Sequence, residues 1–244
     1  MIVFAAIAPH GDLVLGDEPA APVTRAALEE LGRRLEAASA EAAIVVTPHS
    51  VHVQGHFAVV TAARVGDVEV DGELAHAVLA ELDAPAVGVS YGSNDPAEAE
   101  LPMDWGTEIP LAFLHVPRVV VVSPARDRPL HEHVRAGAAL ARATADRRVA
   151  LIASADHGHA HDPDGPYGFD AAASEYDERV VELVRENRLG ALLELGELAR
   201  RAKADSLWQL LVLHGAIGDG ARAEVLSYEA PTYYGMLCAA FDVG

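Results

Sequence analysis

Apolar residues recur along this chain in two rhythms. Ile2–Ala8, Ala42–Thr47, Ala86–Ser90, Arg118–Ser123, Val149–Ser154 and Ala223–Glu229 are short runs rich in Ala, Val and Ile. Runs of this length, bounded by Pro, Gly or polar residues, predict buried strands. His56–Ala62 and Val65–Val70 flank a short turn and predict a hairpin. Pro22–Ala40, Gly72–Leu82, Thr107–Leu114 and Leu130–Ala145 carry the other rhythm. In the first of these, Leu28, Leu31 and Leu35 fall on one stripe with Glu29, Glu30, Arg33 and Arg34 between them, the pattern of a helix with one buried face. Asp170–Ile217 reads as almost wholly helical, broken near Gly190 and Gly196. Tyr91–Trp105, with Gly92, Asn94, Pro96 and Pro102, reads as a loop, and long ordered loops in compact domains often serve as lids. Ala155–Phe169 is a second, polar loop, and Tyr233–Phe241 closes the chain as strand or helix.

No interior segment has the composition of a flexible linker, and no repeat is visible. The alternation predicts one α/β domain over residues 1–244, a mixed central sheet flanked by helices, with a helical insertion before the last strand. Hydrophobic residues make up 51% of the chain, enough to bury a sizeable core. Acidic residues outnumber basic ones, 37 to 18, which excludes nucleic acid as an expected partner because phosphate binding needs clustered cations. The single cysteine, Cys238, excludes an internal disulfide and a thiolate-built zinc site. The first apolar run is too short to span a bilayer and no signal-peptide pattern precedes it, so a cytoplasmic protein without a membrane partner is expected.

Histidine is the residue in excess, with twelve in the chain. Four of the apolar runs end on groups that bind metals or move protons: Pro9-His10-Gly11, Pro48-His49-Ser50, Asp156-His157-Gly158-His159-Ala160-His161 and Glu229-Ala230-Pro231. In an open α/β sheet the carboxyl ends of the strands border the ligand crevice, so these groups are expected to converge. Taken singly, each has a plainer reading. His10 and His49 could be turn residues, Glu229 an exposed edge residue, and the His157, His159 and His161 cluster a solvated loop. His52 could chelate with His49 or line the pocket, and His56 would start the next strand. His76, His131, His133 and His214 lie in helical patterns and read as surface or core residues. Two neutral imidazoles and a carboxylate match the facial ligand set of non-haem Fe(II) enzymes, and Zn(II) accepts the same donors. An imidazole from the His cluster would then act as acid or base, since it titrates near neutrality.

The ordered set Ala8-Pro9-His10-Gly11, Thr47-Pro48-His49-Ser50, Met103-Asp104-Trp105-Gly106-Thr107-Glu108-Ile109-Pro110-Leu111, Ser154-Ala155-Asp156-His157-Gly158-His159, Gly165-Pro166-Tyr167-Gly168 and Leu226-Ser227-Tyr228-Glu229-Ala230-Pro231 resembles the LigB-like class III extradiol ring-cleavage dioxygenases. It is most similar to the short stand-alone members, which are related to the Memo proteins. The resemblance implies metal ligands at His10, His49 and Glu229 and an acid/base histidine at His159, with His157 the alternative. It places His52, Asp104, Trp105, His157 and His161 around the substrate. It implies Fe(II) as cofactor, with Zn(II) possible in a purified sample. A small catechol- or aminophenol-like aromatic and O2 would be the reactants, and a homo-oligomer the assembly. Trp105 stands where the family usually has a histidine, and an indole can donate one hydrogen bond but cannot shuttle a proton as an imidazole does. A zinc-dependent hydrolase and a non-catalytic Memo-like metal protein are the other readings.

Overall fold

The computed structural model describes residues 1–91, 95 and 98–243. Its strands are β1 (Ile2–Ala8), β2 (Ala42–Val46), β3 (Phe57–Val60), β4 (Arg64–Val65), β5 (Val68–Val70), β6 (Ala86–Val89), β7 (Glu100–Leu101), β8 (Arg118–Ser123), β9 (Val149–Ser154), β10 (Arg222–Glu229) and β11 (Met236–Asp242). All join one mixed sheet. Its centre is four parallel neighbours in the order β1-β9-β2-β8. Every residue of β2 and β9 is buried, so both sheet faces are covered. That burial is why these strands read as continuous apolar runs without polar alternation.

The helices are α1 (Pro22–Ala38), α2 (Gly72–Glu81), α3 (Trp105–Leu111), α4 (Leu130–Ala143), α5 (Ala172–Arg185), α6 (Gly196–Ala202) and α7 (Leu207–Ile217). Helix α1 packs on β1, β10 and β11 through the buried Leu28, Leu31 and Leu35. Helix α7 lies on β9 and β1, and α4 packs along it. The α4–α7 crossing is close because it is made of glycines. A Cβ on Gly137 would strike the Val212 carbonyl, and one on Gly215 would strike the Val134 carbonyl.

Several expected boundaries move. The hairpin lies entirely within 64–70, where β4 and β5 pair across Gly66. Strand β3 pairs instead with β6 and β8, because Phe57–Val60 is apolar on both faces and belongs in the sheet interior. The helical insertion precedes the last two strands, and Tyr233–Phe241 resolves into a turn followed by β11. The long helical stretch breaks at a 3-10 segment, Leu189–Glu194, and again after α6, where Lys203 takes a left-handed conformation. Of the expected lid, Gly92, Asn94 and Pro96 lie outside the described residues, and its C-terminal half supplies β7.

Asp71 ties the edge of the sheet together. Its Oδ1 accepts from the Leu74 amide at 3.0 Å, capping α2, and its carboxylate takes two bonds from Arg147 at 2.9 and 2.5 Å. The Arg147 guanidinium holds its carboxyl below the usual carboxylate range. A lowered folded-state pKa gives stability that is present above the ordinary pKa and is lost as pH falls through the folded value. Asp71→Asn, which keeps a capping oxygen, should cost about 2 kcal/mol at neutral pH by removing the carboxylate that pairs with Arg147 and Arg118. Denaturant titrations across pH should show that deficit shrinking as pH falls from the ordinary carboxylate value of about 4, where the unfolded chain takes up the proton, toward the lower pH at which the native carboxyl protonates.

Candidate functional site

The carboxyl ends of β1, β9, β2 and β8 lie side by side, and the side chains just beyond them meet. His10 follows β1, Asp156 follows β9 and His49 follows β2. His10 is buried, and its amide donates to Asp156 Oδ1 at 3.0 Å. Its Nδ1 lies 2.9 Å from Ser154 Oγ, and that hydroxyl bonds the Gly106 carbonyl. A hydroxyl has one proton to give, so Ser154 accepts from His10 Nδ1–H, which leaves Nε2 as the ring atom that gains or loses a proton. That Nε2 stands 3.0 Å from His49 Nε2.

The third member of the cluster is Asp205, in the turn between α6 and α7. Its Oδ2 is 3.4 Å from His10 Nε2 and 3.3 Å from His49 Nε2. Its Oδ1 is buried without a hydrogen-bond partner. Burial would raise the Asp205 pKa, but His10 and His49 outweigh it and hold the carboxyl far below the usual range. Burial alone would likewise lower the His10 pKa. Asp156 and Asp205 reverse that and lift it to about 9. The pocket therefore favours positive charge. Donor separations of 3.0 to 3.4 Å match the edges around an ion with bonds of about 2.1 Å, and the donors are the two-imidazole, one-carboxylate kind. Among the described residues, His10, His49 and Asp205 are the group of donors close enough to share a metal ion.

Glu229, expected as the third ligand, does not join them in this structure. Its Oε2 accepts from the Thr24 amide at 2.7 Å and the Thr24 hydroxyl at 2.6 Å. Thr24 is the third residue of α1, whose preceding residue, Ala21, has no side-chain oxygen with which to cap the helix. Glu229 supplies that oxygen and sits at the positive end of the helix dipole. Strand β10 is also separated from β1 by β11. Asp205 left a trace in the sequence: Asp205-Ser206 precedes the apolar Leu207–Leu213, as capping residues precede a helix.

A cleft of about 770 Å³ opens over the cluster, lined by His10, His49, Asp156 and His159 and walled by Trp105, Ile109, Tyr167, Tyr233 and Tyr234. His159 Nδ1 lies 2.8 Å from the His157 carbonyl, which can only accept. The Nδ1–H is therefore committed, and the neutral ring keeps its Nε2 lone pair free to take a proton. The ring stacks on Tyr234 at 5.7 Å and meets Tyr167 and Tyr233 at 5.9 and 6.0 Å. Gly11 permits this wall, since a Cβ there would overlap the Tyr234 ring.

The other expected site residues stand back from the cleft. His157 is fully buried, with Nδ1 3.0 Å from Ser206 Oγ, and burial pushes its pKa down. His161 Nε2 bonds Asp177 Oδ2 at 2.9 Å. Asp177 also accepts from the Gly158 amide and the Tyr228 hydroxyl, both at 2.7 Å, and so fixes the loop that carries His159. Asp104 accepts from the Thr47 and Thr107 hydroxyls at 3.0 and 2.8 Å, bracing the end of β2 against α3. His52 is exposed and lines no part of the cleft. Trp105 does line it, with its ring 4.4 Å from that of His49 and 55% of its surface exposed.

The sequence profile of the catalytic LigB subunit of aromatic ring-opening dioxygenase matches residues 5–239. A Clostridium acetobutylicum protein, Protein CA_C1420, is 22% identical over 257 residues, a match covering 91% of this chain and 53% of that protein. The chain thus spans about half the length of the curated relative it matches. Among solved structures, the uncharacterized protein JW3007 from Escherichia coli K12 gives a TM-score of 0.71 at 18% identity, over 98% of this chain and 99% of that one, which is a likeness of fold.

Asp205→Ala should lower affinity for Zn(II) or Fe(II) at least tenfold in a metal titration. Glu229→Ala should bind metal as the native chain does and lose about 1 kcal/mol of stability with its helix cap. Loss of metal from the Glu229 variant alone would restore the ligand set read from the strand ends.

Proposed function

The chain belongs to the family of the catalytic LigB subunit of aromatic ring-opening dioxygenases, and on that premise we propose that it is a non-haem Fe(II) extradiol dioxygenase acting on a catechol- or aminophenol-like ring. The observation that carries this reading is the meeting of His10, His49 and Asp205, with both histidines lining a cleft that also holds His159. Iron bound there would supply a Lewis acid for two adjacent ring heteroatoms and a path for electrons from the ring to O2. The rest is work for the chain's own side chains. Tyr167, Tyr233, Tyr234 and Trp105 offer faces and edges against which a flat ring can stack. Ile109 and Leu13 add apolar wall that displaces water. His159 Nε2 takes a proton from a ring hydroxyl and can return it later in the cycle, and the His157 carbonyl holds the imidazole in the tautomer that makes this feasible.

A second reading, a metal-binding protein that opens no ring, is favoured by Trp105. Its indole packs at a tilt against His49, at the position where the resemblance leads one to expect a proton-carrying histidine. No helix among the described residues is long and apolar enough to cross a membrane, which is compatible with either reading.

Anaerobic reconstitution with Fe(II), followed by oxygen-electrode assays over a panel of catechols and aminophenols, tests the proposal. It expects oxygen uptake matched by ring-opened product. Full iron loading without product from any panel member would favour the second reading. His159→Phe should keep its metal and lose about 10²- to 10⁴-fold in kcat. His157→Phe should instead show its main effect in thermal unfolding, because the larger ring has to enter a fully packed site. Trp105→His, compared with the native chain at equal iron loading, should raise turnover of simple catechol.

A further inference from the structure

A buried relay runs behind the metal cluster, from the His10 ring through Ser154 to the backbone of α3. His10 Nδ1 lies 2.9 Å from Ser154 Oγ, and that hydroxyl donates to the Gly106 carbonyl. Ser154 is the last residue of β9 and is fully buried. The Gly106 carbonyl is open to this bond because of the residue four positions on. In a helix a carbonyl accepts from the amide at that place, but here the residue is Pro110, which has no N–H to give. Gly106 is also what lets α3 come so near. A Cβ there would strike the Thr47 hydroxyl and crowd the His49 ring. The same helix start braces the second histidine. The His49 amide donates to Thr47 Oγ1 at 3.2 Å, and Thr47 gives its own proton to Asp104.

We infer that Ser154 is the positioning residue of the metal centre, the group that commits His10 to bind through Nε2. This rests on His10 as a metal ligand, which both readings above share, and needs no ring cleavage. An imidazole can ligate through either nitrogen, and the hydrogen bond made by one of them decides which is left for the metal. A serine hydroxyl can give a proton to Nδ1 or take one from it. With its proton spent on Gly106, only acceptance remains, so Nδ1 keeps its hydrogen whether or not Nε2 carries one. The ring is held at Nδ1 while the His10 amide is held by Asp156, which fixes where Nε2 points. Trp105, the neighbour of Gly106, walls the cleft, so a metal ligand and the cleft wall share one support.

Zn(II) titration of the whole chain against a competing chelator tests this without oxygen or turnover. Ser154→Ala should weaken Zn(II) binding roughly tenfold or more. Ser154→Thr, which returns a hydroxyl, should recover most of that loss. Thr144→Ala removes another buried hydroxyl, just beyond α4 and outside the cleft, and should leave the affinity unchanged. Long-range proton–nitrogen NMR spectra of the Zn(II)-loaded native chain should show His10 protonated at Nδ1 and metal-bound at Nε2. Ligation through Nδ1, native affinity in a folded Ser154→Ala protein, or an equal loss in the Thr144→Ala protein would each overturn the inference. The native spectrum stands whether or not a variant folds. Absence of Zn(II) binding by the native chain would instead remove the metal reading of the cluster, and the role of Ser154 with it.

Discussion

Taking the Asp205 carboxylate out of water is the constraint around which this structure is arranged. A buried ionised carboxylate costs several kcal/mol unless opposite charge or hydrogen bonds replace the lost solvent. Here the replacement comes from His10 and His49, at 3.4 and 3.3 Å. Those distances have to be delivered by elements far apart in sequence. Asp205 rides at the start of α7, whose body from Leu207 to Leu213 is buried in the core. The crossing of α7 with α4 is set by Gly137 and Gly215, each of which would drive a side chain into the other helix's backbone. Core packing there acts on the site directly, because close-packed interiors transmit displacement instead of absorbing it.

The histidines arrive by a different route. Parallel strands pack with their ends in one row, so any chain leaving β1, β9 or β2 must turn within a few ångströms of the others. His10 is then held by its amide on Asp156 and its ring on Ser154, both belonging to the neighbouring β9 segment. His159 is placed less directly. Its loop is pinned at Gly158 and His161 by Asp177, and at its own amide by the Ala202 carbonyl just before the Asp205 turn. His159 and the Asp205 carboxylate thus share an anchor, although they are 46 positions apart in the chain.

How much of this could be read from the chain follows from the range of the forces involved. Strands β1, β8 and β9 were legible to the residue because an apolar run bounded by polar residues is a local signal. The convergence of His10 and His49 followed from their places at strand ends. The pairing of β3 was not legible, because a four-residue run buried on both faces says that it is interior without saying beside which strand. Asp205 was hidden for a related reason. It sits in a stretch that reads as helical, and the break at Lys203 depends on a left-handed backbone that the local residue pattern does not announce. His157 and His161 shared the register of His159 in sequence, yet only tertiary partners, Ser206 and Asp177, decide which imidazole faces the cleft.

Glu229 shows why residue type and place together still fell short. The turn between β10 and β11 does lie at the site end of the sheet, and it delivers Tyr233 and Tyr234 to the cleft wall. A carboxylate leaving the same turn had two electropositive targets within the fold: the histidine pair, and the uncapped amides of α1. Proximity decides between them, since β10 is packed against α1 and separated from β1 by β11. The helix start begins with Pro22 after Ala21 and offers no oxygen of its own, so leaving its amides unmet would incur a penalty comparable to that of an unmade buried hydrogen bond. Glu229 meets that need at 2.6 to 2.7 Å. The cluster can spare it because Asp205, in the turn before α7, already reaches both imidazoles.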